Sequence, residues 1–327
     1  MQGRRGVSKH MGNLWHPDRF QGQRKTTRYF EGWYFKCISA DRRHAIAIIP
    51  GMAIDPSGQR HAFIQAINAV SGKTWYFHFP YETFSSPHDR FSVRIGENTF
   101  DTGGLSLAID SPEGQLKGRL TFQEAHAFPK KWYSPGIMGP FSFIPFMECY
   151  HAILHLYHSL QGTIMLDGEE LVFDGGTGYI EKDYGRSFPR TYLWLQASHF
   201  DHSDASFVFS QAHIPFLGSS FPGFFAYFTD FHGNSRRFAT YNRSKLLDWQ
   251  VDPAARTCAG RLQSPSGSLR FEAQMAGGGR LRAPVDGLMD REIIESITAC
   301  VTVHLTDRHG HVLFEGTSRE AGMEISL

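Results

Sequence analysis

Apolar and polar residues alternate along most of this chain in short runs separated by turn-forming residues. Such runs occupy 45–49, 62–69, 74–79, 91–95, 105–109 and 116–122, and again 178–184, 191–200, 205–211, 224–230, 268–274 and 297–305. A period of two over four to ten residues is the signature of a strand with one face turned to a core. Asp-Pro-Ser-Gly at 55–58, Ser-Pro-Glu-Gly at 111–114 and Asp-Arg-His-Gly at 307–310 read as hairpin turns. Gly175-Gly176-Thr177-Gly178 reads as a further tight hairpin, because no helical pattern follows that would turn it into a phosphate loop. No β-α-β alternation is present, and the single helix candidate is short, Met289 to Ser296. Strands repeating this often exceed the ~8 of one small closed barrel. The pattern therefore predicts an all-β chain of two domains, 12–166 and 167–327, dividing at the polar turn Leu166-Asp167-Gly168-Glu169. No low-complexity linker separates them, so tight packing is expected.

Composition strengthens this picture and narrows the class. The 28 Phe and 33 Gly favour strands and the turns between them. Rings in such number fill β cores and also line apolar pockets. The formal net charge is +1, with both signs spread along the chain, so no general field draws it to nucleic acid or to anionic membrane. Cys37, Cys149, Cys258 and Cys300 are far apart and form no C-x-x-C pair. That spacing argues against a disulfide framework or a structural zinc site, and a reducing, cytoplasmic setting is expected. The first ten residues are basic and polar without an apolar stretch, unlike a signal peptide. The apolar segment 135–147 is broken by Gly136, Gly139, Pro140 and Pro145, which makes it a buried or interfacial loop rather than a span.

Two segments carry a resemblance. Phe30-Glu31-Gly32-Trp33-Tyr34-Phe35-Lys36 is one; the other runs from Gly178-Tyr179-Ile180-Glu181-Lys182-Asp183-Tyr184-Gly185-Arg186 into Tyr192-Leu193-Trp194-Leu195-Gln196. Trp132 to Gly139, Pro145 to His151 and Leu281-Arg282-Ala283-Pro284 add to them in the same order. Together these blocks resemble the tocopherol cyclase family. The resemblance implies lipocalin-like β domains, kinship with carotenoid hydratases and some Diels–Alder cyclases, and closure of a chromanol ring from a prenylated hydroquinone without redox cofactor or metal. Plant members read closer to Glu-Lys-Asn-Trp-Gly where this chain has Glu181-Lys182-Asp183-Tyr184-Gly185. That departure favours Glu181 over Asp183 as the acid.

Such a ring closure needs an acid for the alkene, a base for the phenol and an apolar wall around the cation. A carboxyl held protonated by burial meets the first need, and aromatic faces meet the third. Strand alternation puts Tyr179, Glu181 and Asp183 on one face and Ile180, Lys182 and Tyr184 on the other. It likewise groups Tyr192, Trp194 and Gln196 against Leu193, Leu195 and Ala197, and Glu31, Trp33 and Phe35 against Gly32, Tyr34 and Lys36. Glu181, Asp183 and His151 are the catalytic candidates. Glu31, Trp33, Tyr34, Glu148, Tyr179, Tyr192, Trp194 and Gln196 are the candidates for holding substrate. The plain alternatives are ion pairs of Glu181 with Lys182 or Arg186, and of Glu31 with Arg28. His151, His155 and His158 have helix-like metal spacing, but on a strand only the first two share a face, so no metal is assigned. The expected partner is a hydrophobic small molecule, with peripheral membrane contact through 137–146. The competing functions are a cyclase, a non-catalytic carrier and an isoprenoid hydratase.

Overall fold

The computed structural model describes residues 15–145, 147–201, 203–216 and 219–327. The amino-terminal stretch read for a leader, and Phe146 of the apolar loop, lie outside the described residues. The all-β expectation holds. The first twelve strands are β1 (Tyr29–Ile38), β2 (Ala45–Ile54), β3 (Arg60–Asn68), β4 (Thr74–Pro80), β5 (Phe84–Ser85), β6 (Ser92–Ile95), β7 (Asn98–Asp101), β8 (Gly104–Ser111), β9 (Gly114–Ala127), β10 (Cys149–Leu166), β11 (Glu169–Val172) and β12 (Thr177–Gly185). They form one sheet in the order β4-β3-β2-β1-β12-β10-β9-β8-β7-β6-β5, with β11 on the end of β10. Side chains from one face of the strands from β1 to β12 fall into a single cluster, including Trp33, Phe35, Ile64, Phe100, Leu120 and Ile180, so the sheet wraps around that core.

A second sheet uses β13 (Tyr192–Phe200), β14 (Ser203–Phe216), β15 (Ser219–Thr229), β16 (Ser235–Ala239), β17 (Lys245–Asp252), β18 (Thr257–Ser264), β19 (Gly267–Gln274), β20 (Gly279–Val285), β21 (Leu288–Asp307) and β22 (Val312–Ser326). Its order is β16-β15-β14-β13-β22-β21-β19-β18-β17, with β20 pairing β21. Its core contains Leu193, Leu195, Ala197, Phe207, Phe209 and Phe271. The three tetrapeptides read as turns do join β2 to β3, β8 to β9 and β21 to β22.

Four expectations change. The chain divides into one compact unit of residues up to Val70, Thr74–Phe188 and Leu281–Glu292, and another of Ser71–Lys73, Pro189–Arg280 and Ile293–Leu327. The break expected at 166/167 moves to 188/189, because β12 is hydrogen-bonded between β1 and β10 and cannot leave the first sheet. Met289 to Ser296 is strand, part of β21, where Met289 and Ile293 are each buried between exposed neighbours; good helix formers yield here to period-two burial. Gly175–Gly178 is no hairpin. It leads from β11 to β12, and both pair with β10. Gly176 is required there because a Cβ would stand 2.3 Å from the Ile38 carbonyl oxygen. Finally, register shifts in β10 bring His155 and His158 together, with ring centroids 5.3 Å apart, and leave His151 elsewhere.

Candidate active site

The site grows from β12, whose two faces do different work. Ile180 belongs to the core cluster and Tyr184 packs against it, so the even positions point inward. On β1 the odd positions point the same way, since Tyr29, Trp33, Phe35 and Cys37 lie in that core. Antiparallel register places Glu31 opposite Tyr184 and Trp33 opposite Lys182.

Inward, Lys182 and Glu31 form an ion pair at 2.6 Å with neither side chain exposed. Glu31 also accepts hydrogen bonds from the Tyr29 hydroxyl at 2.5 Å and the Gln21 backbone N–H at 2.9 Å. The Lys182 ammonium donates to the carbonyls of Pro17 at 2.8 Å and Arg19 at 2.5 Å. It lies 4.8 Å from the ring centres of both Trp33 and Tyr184. Burial pulls the Lys182 ammonium below its ordinary range, and Glu31 opposes that fall. Burial and then the Glu31 charge push the Tyr29 hydroxyl far up. A charged pair is tolerable here because each formal charge has partners on several sides. This corrects the plain alternative for Glu31: the partner is Lys182, not Arg28. Glu31 and Trp33 therefore belong to the core side of the sheet, away from Glu181.

Outward, the strand presents Tyr179, Glu181 and Asp183. Asp183 is in register with His151 on β10 and Gly32 on β1, and Glu181 with Ile153 and Tyr34. His151 bridges the two carboxylates: Nδ1 is 3.0 Å from Asp183 Oδ1 and Nε2 is 3.5 Å from Glu181 Oε2. The Tyr179 hydroxyl donates to Glu181 Oε2 at 2.6 Å, and the Cys149 thiol to Asp183 Oδ1 at 3.6 Å. Burial, then the neighbouring carboxylate charge, raises both Tyr179 and Cys149 well above their ordinary ranges. The group is largely closed, with side-chain exposures of 6% for Glu181, 11% for His151 and 22% for Asp183. Beside it Gly32 leaves room, since a Cβ there would meet nothing nearer than Ile49 at 3.6 Å. Tyr179 with Glu181 and His151 with Asp183 are hydrogen-bonded pairs, and the 3.5 Å approach of His151 Nε2 to Glu181 Oε2 brings the two pairs together. One ligand atom from each of His151, Glu181 and Asp183 also falls within 4.8 Å of the others, so these three could together hold a metal ion.

The other candidates are more scattered. Tyr34 is buried on the Glu181 side of the sheet. Glu148 precedes β10; its carboxylate stands 4.0 Å from Arg186, and burial raises it while Arg186 pulls it down. Arg186 makes its shorter pair, 2.9 Å, with Asp286. Tyr192, Trp194 and Gln196 lie on β13 of the second unit and are buried, although Leu193, Leu195 and Ala197 supply that sheet's core from the opposite face. Sequence reasoning missed Cys149 as a partner of Asp183 and gave Lys182 to Glu181 instead of Glu31. Only the strand register, absent from a single strand's alternation, reveals which residues they meet.

A model of the tocopherol cyclase-like family matches residues 115–327, which include β10, β12 and β13. The chain belongs to the tocopherol cyclase-like family. The Phe30 to Lys36 block lies before the matched region. No curated protein matches the sequence. Among solved structures, kievitone hydratase from Nectria haematococca superposes with a TM-score of 0.51 at 11% identity, covering 94% of this chain and 91% of its own. CghA with Sch210972 gives 0.56 at 14% identity, covering 92% and 89%. At such identities the likeness is one of fold. Within this tocopherol cyclase-like chain, the His151–Asp183–Glu181 arrangement is a property of its own residues.

Proposed function

We propose that this chain is an enzyme that closes a ring on a prenylated hydroquinone or related isoprenoid by acid–base chemistry alone. The observation that carries the reading is His151 standing between the carboxylates of Glu181 and Asp183. Glu181, His151 and Asp183 bring one polar atom each within 4.8 Å of the others, close enough for one proton to be shared among them. Glu181, the more enclosed, delivers that proton to the trisubstituted alkene. The phenol oxygen attacks the resulting tertiary cation, and its proton passes to His151, which Asp183 orients through Nδ1. His151 then returns the proton to Glu181. One O–H bond and the alkene π bond break, one C–O and one C–H bond form, and the product is an isomer of the substrate.

The direct test is incubation with a phytylated methylhydroquinone, followed by chromatography and mass spectrometry. The expected product has unchanged mass and the retention of a chromanol. A product heavier by one water would make the chain a hydratase, and tight retention of unconverted substrate would make it a carrier. Glu181→Gln is expected to abolish turnover with binding intact.

Substrates of this class dissolve in bilayers. Trp132, 82% exposed, packs edge-on against exposed Tyr133, and the Lys131 ammonium lies 5.9 Å from the Tyr133 ring. Amphipathic rings beside a cation suit a headgroup layer, which supports peripheral membrane contact at 131–133 rather than through the expected 137–146, where Ile137 and Met138 are buried. Co-sedimentation with anionic vesicles, lost in Trp132→Ala, is the expected result. No helix among the described residues is long and apolar enough to cross a membrane.

A further inference from the structure

The sheet face that carries Glu181 and Asp183 holds a second polar group at its far end. Register runs in one row from His151 through Asp183, Gly32, Gly51 and Phe63 to His78. Four strand spacings separate Asp183 from His78, about 19 Å along the sheet. At that end the ring of Tyr76 is stacked on Phe63, with centroids 5.4 Å apart and planes 18° apart. The Tyr76 hydroxyl is 2.8 Å from His61 Nε2, and the His61 ring is stacked on His78 at 4.8 Å. The Arg282 guanidinium stands 4.4 Å from the Tyr76 ring centre. Its backbone is clamped on both sides by one amide: Gln65 donates to the Arg282 carbonyl at 2.9 Å, and the Arg282 N–H donates to Gln65 Oε1 at 2.8 Å.

Three groups able to carry positive charge thus meet on an aromatic platform. Among the described residues no carboxylate pairs with Arg282, His61 or His78. The groups facing His61 are His78 on β4, Arg282 on the segment Leu281–Glu292 and, more weakly, Asp55 in the turn after β2. Burial, then His78 and Arg282, holds the His61 imidazole down to about 4. An aromatic-stacked guanidinium offers a planar fork of donors that matches a carboxylate or phosphate.

We propose that Arg282, Tyr76, His61 and His78 form a subsite for an oxyanion, a carboxylate or phosphate group, which binds together with one proton. Without the anion, neutral His61 accepts the Tyr76 O–H at Nε2. The anion, seated against Arg282, supplies the missing negative charge. His61 then takes a proton from solvent and donates Nε2–H to the Tyr76 oxygen, which frees the Tyr76 O–H to donate to the anion. The two sources of such a group are a free oxyanion and the acidic end of a hydrophobic ligand. The subsite does not depend on the ring closure proposed above, because its test reads no turnover.

The test is a histidine-resolved NMR titration of the full chain in chloride, in phosphate and with dodecanoate, at equal ionic strength. The His61 midpoint is expected to rise by ~1 unit or more in at least one of the two anions, a measure of how strongly the charged form is favoured. Calorimetry is expected to show that anion's affinity growing up to ~10-fold per pH unit as pH falls toward the free midpoint, the linkage of one proton to binding. A shift with dodecanoate alone identifies an acidic amphiphile; a shift with phosphate identifies a free oxyanion. Arg282→Gln keeps the backbone clamp on Gln65 and is expected to remove both effects. An unmoved His61 midpoint in both anions overturns the proposal, as does wild-type binding by Arg282→Gln in a chain whose other histidine resonances show it folded.

Discussion

Glu31 and Lys182 meet at 2.6 Å inside the first sheet, and neither side chain reaches solvent. Removing one partner leaves the other charge buried without its counterpart, at a cost of about 3–5 kcal/mol. Glu31→Gln and Lys182→Met are each expected to lower the denaturation midpoint strongly. The double replacement should recover much of the loss, since a neutral pair has no charge to desolvate. Urea unfolding of the three variants measures this, and a strictly additive double variant would contradict it.

In the proposed mechanism Asp183, 3.0 Å from His151 Nδ1, fixes which ring nitrogen carries the proton. Asp183→Asn preserves the side-chain shape while removing that bias. By the precedent of oriented imidazole bases, turnover should fall by a factor on the order of 10²–10⁴. Substrate affinity, read separately by fluorescence titration, should change little. A variant that lost binding and turnover together would assign Asp183 to holding substrate instead.

His155 and His158 give the first unit a dependence on acid. Both are buried; His155 Nδ1 and both His158 nitrogens have no hydrogen-bond partner among the described residues. Burial lowers His155 to about 4 and His158 well below its ordinary value. The unfolded chain therefore binds protons that the folded chain refuses. Stability should be full above the ordinary value of 6.5 and fall as pH drops from there through about 4. Denaturant midpoints measured from pH 7 to pH 4 should show this slope, and His155→Phe should flatten it.

The cluster proposed to hold a proton also has the donors for a metal. Added Zn²⁺ should compete with the proton for His151, Glu181 and Asp183, inhibiting turnover and binding more weakly as pH falls, because ligands must first deprotonate. Calorimetry on the wild type and on His151→Phe reads this directly. Equal zinc binding by both would place the ion elsewhere.

Much of this arrangement is legible in the sequence. Alternation along 179–184 already separates Glu181 and Asp183 from Lys182, and the turn residues at 55–58, 111–114 and 307–310 mark real strand connections. What alternation cannot supply is the neighbour across the sheet. Lys182 reads as a partner for Glu181 because they are adjacent in sequence, whereas register gives it Glu31, more than a hundred residues away. The histidines of β10 are misread for a related reason: the strand changes register twice between Ile153 and His158, and a bulge reverses the face assigned by counting. Met289 to Ser296 misleads through propensity, since its Glu and Arg content suits a helix while its burial alternates as a strand.

The two faces of β12 also guard one another. A slip of one residue along β1 and β10 would drive Glu181 and Asp183 into the aromatic core and expel Lys182 from it. The His151–Glu181–Asp183 cluster therefore cannot be loosened locally while the strand beneath it stays paired. Amide hydrogens of residues 179–184 should exchange with solvent only in openings that also release Glu31, placing the chemistry in the slowest-exchanging part of the first unit.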